Sequence, residues 1–524
     1  MFNLLTEPLI RFDSVRGERG AASLPEVYAA LMADEVASFP ALRPHQRHAW
    51  HAFLVQLGAI AMQRAGVVGE PPASPDDWRS LIRELTAEYE DDAPWRLVVD
   101  DFTQPAFLQP PATSVDLITD YKTVVATADE LDMLVTAKNH DVKCAVAEEA
   151  GVDDWFFALI TLQTMEGFGG AGNYGISRMN AGLGNRPVFS LAPLGGPGTH
   201  VRRDIQTLLA RRAEMLAESP AGGGDLALVW TRPWDGLKAQ SLLPNQLEPL
   251  YIEVCRRIRV RTGPDRSLSV QRATSKAARI EAKQLSGRTG DPWTPINLKE
   301  EKSLTLAGGG FTYKRVTEYL TSADWRQPIL LRPTEAEARS TESMCLVARA
   351  MVRGQGKTEG YHERIVPLRY KTIRAMGNAL STQDIGEIAK GRIEQVGRVQ
   401  RILSHAIQTF LSSGEADNAS PETRERARPW LNRLDEIVDA NFFAALQEEF
   451  EASDSQRESI HNEWLRGVFN SARELLRDAC DTLPCRSVHR YRARTRAESL
   501  LEGRLRSNSG LPFLFTETGD DDHD

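Results

Sequence analysis

The chain is short of cysteine, of long apolar runs and of positive charge, and each shortage removes a class of protein. Its five cysteines (Cys144, Cys255, Cys345, Cys480 and Cys485) are scattered through 524 residues. They are odd in number and form no CxxC pair, which argues for reduced thiols in a cytosol and against a disulfide frame or a zinc ribbon. The longest apolar stretch, Ala49 to Met62, is interrupted by His51 and Gln56. It is too short and too polar to span a bilayer, and no secretory signal opens the sequence. A cytoplasmic protein without a membrane partner is therefore expected. The formal net charge is −9, so a nucleic-acid role needs a local basic patch.

What is present is glycine, concentrated in one place. Gly167-Phe168-Gly169-Gly170-Ala171-Gly172-Asn173-Tyr174-Gly175 follows a dense apolar block, Trp155 to Met165. Glycine this frequent marks backbone that turns sharply or lets something approach closely. Arg178, Asn180, Asn185 and Arg186 come next, and amides and arginines suit phosphates and base edges. Gly167-x-Gly169-x-x-Gly172 fits the dinucleotide fingerprint as a pattern, but that fingerprint needs a strand before it. The eleven-residue block WFFALITLQTM is long enough to read as a buried helix instead.

A second pattern, Gly354-Gln355-Gly356-Lys357-Thr358, resembles the end of a phosphate loop. The full motif needs glycine five positions before Gly356, where Met351 stands. The flank LVARAMVR reads as a helix rather than the required strand. A nucleotide-dependent enzyme is thus the weaker reading, and no Asp/Glu/His cluster is convincing for a nuclease. The segment still forms a glycine-flexed cationic hairpin tip.

Two basic patches exist. Between Arg256 and Arg315 there are fourteen Lys/Arg against five Asp/Glu, and Arg486 to Arg506 is a second arginine-rich run. His45, His48 and His51 fall at helical spacing, but no carboxylate or thiol joins them locally. A solvated helix face is preferred there over a metal site.

The length calls for two or three domains. The start reads as strand, turn, strand, then a helix opened by Ser23-Leu24-Pro25-Glu26, and residues 225–335 read as rich in short strands. From about residue 366 the character changes. Ile393, Val396, Val399, Leu403, Ile407 and Phe410 recur at helical spacing. Ser420-Pro421 is a helix start, and Ser455 to Glu458 is a capping box. Polar breaks near 414–420, 451–455 and 482–486 divide this region into four helices. The fold class expected is α+β: a mixed α/β body over 1–365, a four-helix bundle over 366–510, and an acidic, disordered tail over 511–524.

Several pieces taken together resemble one family. Phe2-Asn3-Leu4-Leu5-Thr6-Glu7-Pro8 with Ser23-Leu24-Pro25-Glu26, Phe107-Leu108-Gln109, the Gly167–Gly175 loop with Arg186-Pro187, and the Arg353–Arg364 segment resemble CasA. That protein is the large subunit of the type I-E CRISPR surveillance complex, Cascade. The resemblance runs over nearly the whole chain and rests on order and spacing.

The resemblance implies a non-catalytic subunit without a cofactor, assembled with guide RNA and with the backbone, handle-binding and small subunits of Cascade. Such a subunit recognises a short protospacer-adjacent motif in double-stranded DNA, mainly through the minor groove. It starts strand separation and R-loop formation, and it docks a helicase–nuclease. The motif-binding glycine loop corresponds to Gly167, Gly169, Gly170, Ala171 and Gly172. A lysine finger corresponds to Lys283 first and Gln284 next, upstream of the Trp-Pro turn Asp291 to Pro295. The strand-separating wedge maps to Gln355, Gly356, Lys357 and Thr358. Lys138, Asn139, His140 and Lys143 correspond to a loop that touches guide RNA or a neighbouring subunit. Arg288, Arg279 and Lys276 from the first basic patch are expected on the DNA backbone. Some members carry CxxC pairs that hold a metal; only Cys144 and Cys255 stand near those places, so no structural zinc is expected. A scaffold subunit without DNA contact is the alternative, in keeping with the negative net charge.

Overall fold

The computed structural model describes residues 1–131, 150–219, 223–354, 357–415, 420–507 and 510–512. The chain divides into two compact units, Met1–Phe311 with Ala323–Pro367, and Thr312–Ser322 with Leu368–Asp524. The second unit thus takes in a short segment that the sequence places within the α/β body.

Two helices with almost no polar face organise the first unit. In Arg47–Arg64 every residue from His48 to Met62 is buried, and in Val152–Met165 twelve residues are buried. A helix apolar all round belongs inside a core, and both feed one cluster with Trp50, Phe53, Phe107, Phe156 and Trp230. The strand–turn–strand opening is Ile10–Ser14 and Arg19–Ala22. The helix Leu24–Met32 follows, with the Ser23 amide donating to Glu26 at 2.7 Å. His45, His48 and His51 are all buried, which corrects the solvated face expected for them. His45 lies in the 3-10 turn Pro44–Gln46, and the helix that follows it, with His48 and His51, is wrapped on every side; the spacing of three histidines carries no information about that.

Small antiparallel sheets surround these helices. Arg257–Thr262 pairs with Leu268–Ala273. Met344–Gly354 lies between Val188–Pro193 and Lys357–Leu368 in a three-stranded sheet. LVARAMVR is therefore a strand, not the helix its composition indicates. A central strand buried on both faces loses its alternation and reads as a continuous apolar run; Leu346, Ala348, Ala350 and Met351 are all buried. The phosphate-loop reading gains nothing from this correction. The motif needs a helix after its loop, and a strand follows here.

In the second unit four long helices run over Ala379–Leu411, Pro421–Glu451, Asp454–Thr482 and Ser487–Arg506. The Ser420 hydroxyl accepts from the Thr423 amide at 3.2 Å. The third helix starts at Asp454 behind Ser453, two residues before the capping box read from the sequence. Val396, Val399, Leu403, Ile407 and Phe410 enter the core, whereas Ile393 is only half-buried. Beside it Arg392 is fully buried, hydrogen-bonded to Glu449 at 2.6 Å and stacked over Trp464 at 4.3 Å. Among the described residues no strand follows Leu368, and no helix is long and apolar enough to cross a membrane.

Candidate nucleic-acid interface

The glycine loop leaves the end of the buried helix Val152–Met165, and polar side chains beneath it fix its direction. The Gln163 amide donates to the carbonyls of Leu108 and Arg256 at 2.8 and 3.0 Å. Its oxygen accepts from the amides of Cys255 and Arg256 at 3.0 and 2.8 Å. Arg256 then reaches both limbs of the loop, donating to the carbonyls of Gly167, at 3.1 Å, and Tyr174. Backbone hydrogen bonds hold the loop as well. The Gly167 and Phe168 amides donate to the carbonyls of Gly184 and Gly182 at 2.8 and 3.1 Å, and the Gly172 carbonyl accepts from Ser275 at 3.0 Å.

The glycines divide into two kinds. A Cβ on Gly167 would overlap the Gly182 carbonyl oxygen, and one on Gly175 would overlap the backbone of Gly167. These two glycines are demanded by the fold. A Cβ on Gly170 would meet nothing within 4 Å, and one on Gly169 would meet only Arg256 and Asn173 at 3.3 Å. The tip is therefore bare backbone with little packed against it; at Gly170 it is the φ of +112° rather than packing that calls for glycine. Phe168 stands beside it, 38% exposed.

This loop and the lysine finger come together. Gly167, Phe168, Tyr174, Lys238, Lys276 and Lys283 border one open cleft of about 550 Å³. Lys283 and Gln284 open a short 3-10 turn, Lys283–Leu285, and both are exposed, as are Lys238 and Lys276. One carboxylate, Glu281, also borders the cleft. The cleft thus brings three exposed lysines to the opening bordered by the limbs of the glycine loop.

The rest of the basic patch is less available than its sequence indicates. Arg279 is 3% exposed and stacks over Trp234. It donates to the carbonyls of Arg232, Pro233 and Gln240 at 2.9–3.2 Å. Burial pushes its guanidinium down to about 10. It braces the fold, which corrects its expected place on the DNA backbone. Arg257 and Arg259 are likewise buried, over Tyr121 and Phe102. Arg288 is half-buried and lies 3.3 Å from Glu301. The arginines after the glycine loop also turn inward. Arg178 stacks on Tyr251 at 4.0 Å, and Arg186 lies 3.4 Å from Asp291 and over Trp293. Arg186 and the buried Trp293 join the segment after the loop to the turn downstream of the lysine finger.

The family profile of CRISPR-associated protein Cse1 matches residues 3–475. The chain belongs to the Cse1 family. Its fold agrees with solved structures along nearly the full length of each. Cse1 of Acidimicrobium ferrooxidans has a TM-score of 0.64 at 15% identity, covering 96% of this chain and 97% of that one. CasA (Cse1) of Thermus thermophilus has a TM-score of 0.62 at 16% identity, covering 96% and 98%. A chain of a CRISPR RNA-guided surveillance complex has a TM-score of 0.54 at 14% identity, covering 96% and 99%. No curated protein matches significantly.

For this Cse1 chain the remaining expected site residues are placed as follows. Lys138, Asn139, His140 and Lys143 lie outside the described residues, as do Gln355 and Gly356; Lys357 opens the returning strand of the hairpin, followed by Thr358. The stalk below is braced by Arg349 and Tyr361, which both donate to Glu363, at 2.6 and 2.8 Å. One backbone path links the hairpin to the glycine loop. Gly182 and Gly184 accept from the loop, and the neighbouring Asn185 amide donates to Met351 on the hairpin strand at 3.1 Å. Sequence reasoning missed Lys238 and Phe168 as cleft residues. The exposed aromatic in a glycine run was the available signal for Phe168; Lys238 had none.

Proposed function

We propose that this chain is the large subunit of a guide-RNA surveillance complex, and that it reads a short motif in duplex DNA from the minor groove. The observation that carries the reading is the shared cleft. The limbs of the glycine loop, at Gly167, Phe168 and Gly175, border the same opening as the exposed Lys283, and the loop's tip at Gly169–Gly170 is bare backbone. A groove about 6 Å wide admits backbone more easily than side chains, and its floor offers acceptors on both bases of an A·T pair. A single flexible ammonium suits such acceptors. Lys276 and Lys238 add attraction to phosphates, which carries no sequence information. Strand separation is assigned to the hairpin tip, Gln355 to Thr358, whose stalk is tied to the motif-reading loop through residues 182–185. Lys138, Asn139, His140 and Lys143 are assigned to guide RNA or a neighbouring subunit, and the bound complex is assigned to recruit a helicase–nuclease. The chain is assigned no catalytic step of its own.

The test compares Lys283→Ala with Arg288→Ala in the assembled complex. Lys283→Ala should compress the affinity ratio between preferred and altered motifs by roughly 5- to 150-fold, the equivalent of a base contact worth about 1–3 kcal/mol. Arg288→Ala should weaken all duplexes alike and reduce the salt dependence. If neither variant changes duplex binding, the scaffold reading replaces this one.

A further inference from the structure

A second set of polar side chains lies apart from the DNA cleft. His51 comes from the helix Arg47–Arg64, and His200 and Asp204 stand four residues apart on the helix Pro197–Ala210. Residues at that spacing share a helix face. Both Nε2 atoms converge on one oxygen, Asp204 Oδ2, at 2.8 Å from His51 and 3.4 Å from His200. One ligand atom from each of the three residues lies within 4.8 Å of the others. Tetrahedral bonds of about 2.0–2.1 Å separate neighbouring ligand atoms by roughly 3.3 Å. The trio needs only small adjustments to reach that spacing.

The surroundings suit a bound cation. The other carboxylate oxygen, Asp204 Oδ1, accepts from Arg203 at 3.0 Å, and Arg203 is itself held by Glu337 at 2.9 Å. This outer arrangement turns Oδ2 toward the imidazoles, as supporting hydrogen bonds orient ligands in metal sites. Ser190 Oγ lies 2.9 Å from His200 Nε2. Asp204 is fully buried, but His51 and His200 border a cleft of about 430 Å³ that also includes Arg47, Arg349 and Cys345. Arg349 opposes a cation there, but its charge is paired with Glu363 at 2.6 Å.

We propose that His51, His200 and Asp204 form a binding site for a divalent cation of the zinc class, with the fourth position open to the cleft. Two imidazoles and one carboxylate with an open position suit late first-row divalent ions rather than calcium or magnesium. The ion would tie two core helices to each other, and the inference is independent of the DNA reading.

The test uses the full chain without an affinity tag, stripped with a chelator and titrated with Co²⁺ or Zn²⁺. One equivalent should bind and raise the melting temperature. His200→Gln should weaken uptake at least tenfold while keeping a cooperative melt. Wild-type crystals soaked in Co²⁺ give a second readout that requires no variant: an anomalous peak between the three side chains. Uptake undiminished in His200→Gln, or soaked crystals with no peak there, would overturn the proposal and leave the trio a hydrogen-bonded network.

Discussion

Gly169→Ala and Gly167→Ala separate what the glycine loop does from what it needs to fold. At Gly167 the new methyl would sit on the Gly182 carbonyl oxygen and 3.1 Å from Met179. The backbone must move, which threatens the Gly167–Gly184 and Phe168–Gly182 hydrogen bonds. Two such bonds contribute about 1 kcal/mol each, so with steric strain the local cost is about 2–3 kcal/mol. At Gly169 the methyl meets the end of a guanidinium and the Asn173 Cβ, both at 3.3 Å. Small shifts relieve these, at a cost within about 1 kcal/mol, and the melting temperature should fall by no more than about 2 °C. The methyl nevertheless adds bulk to the exposed loop that enters the groove. Fluorescence anisotropy with a motif-containing duplex should show Gly169→Ala in the assembled complex binding about 5- to 150-fold more weakly. Wild-type affinity in a folded Gly169→Ala complex would refute the idea that this loop enters the groove.

Two further outcomes are expected. Gln355→Ala should leave initial duplex binding intact but slow strand opening, and a target already mismatched beside the motif should restore the rate, because unstacking costs a few kcal/mol per step; stopped-flow opening rates on matched and pre-melted targets check this. In the bundle, burial favours the protonated form of Glu449, but hydrogen bonds from His461 and the charge of Arg392 outweigh it and hold the carboxyl below its usual range. The unfolded chain then takes up that proton first, so the contribution is complete above about pH 4.5 and is lost as pH falls through the lowered value. Glu449→Gln should flatten that part of an acid-denaturation profile.

Sequence alone exposes the parts of this fold whose signals are local. The apolar block before the glycine loop is too long for a strand and is a helix, and the bundle helices announce themselves through caps and polar breaks. The strand Met344–Gly354 reads as a helix in the sequence because burial on both faces erases its alternation, and arginines within it imitate a helical stripe. Burial of cations was equally hidden. The partners of Arg279 are carbonyls 39–47 residues away in sequence, and no composition count registers them. His51 and Asp204 are 153 residues apart, so their meeting had no local trace. The same distance effect decides which glycines matter, because only the approach of residues 182–184 distinguishes Gly167 from Gly169.

Inosine substitution tests minor-groove reading most directly. An I·C pair presents the minor-groove acceptors of A·T but the major-groove pattern of G·C, because inosine lacks the N2 amino group. Affinities of the assembled complex are measured for duplexes carrying A·T, G·C or I·C at each motif position. The account predicts that I·C behaves like A·T wherever Lys283 reads the pair, and that Lys283→Ala removes the difference from G·C. Affinities at which I·C follows G·C at every position would place recognition in the major groove and contradict the account.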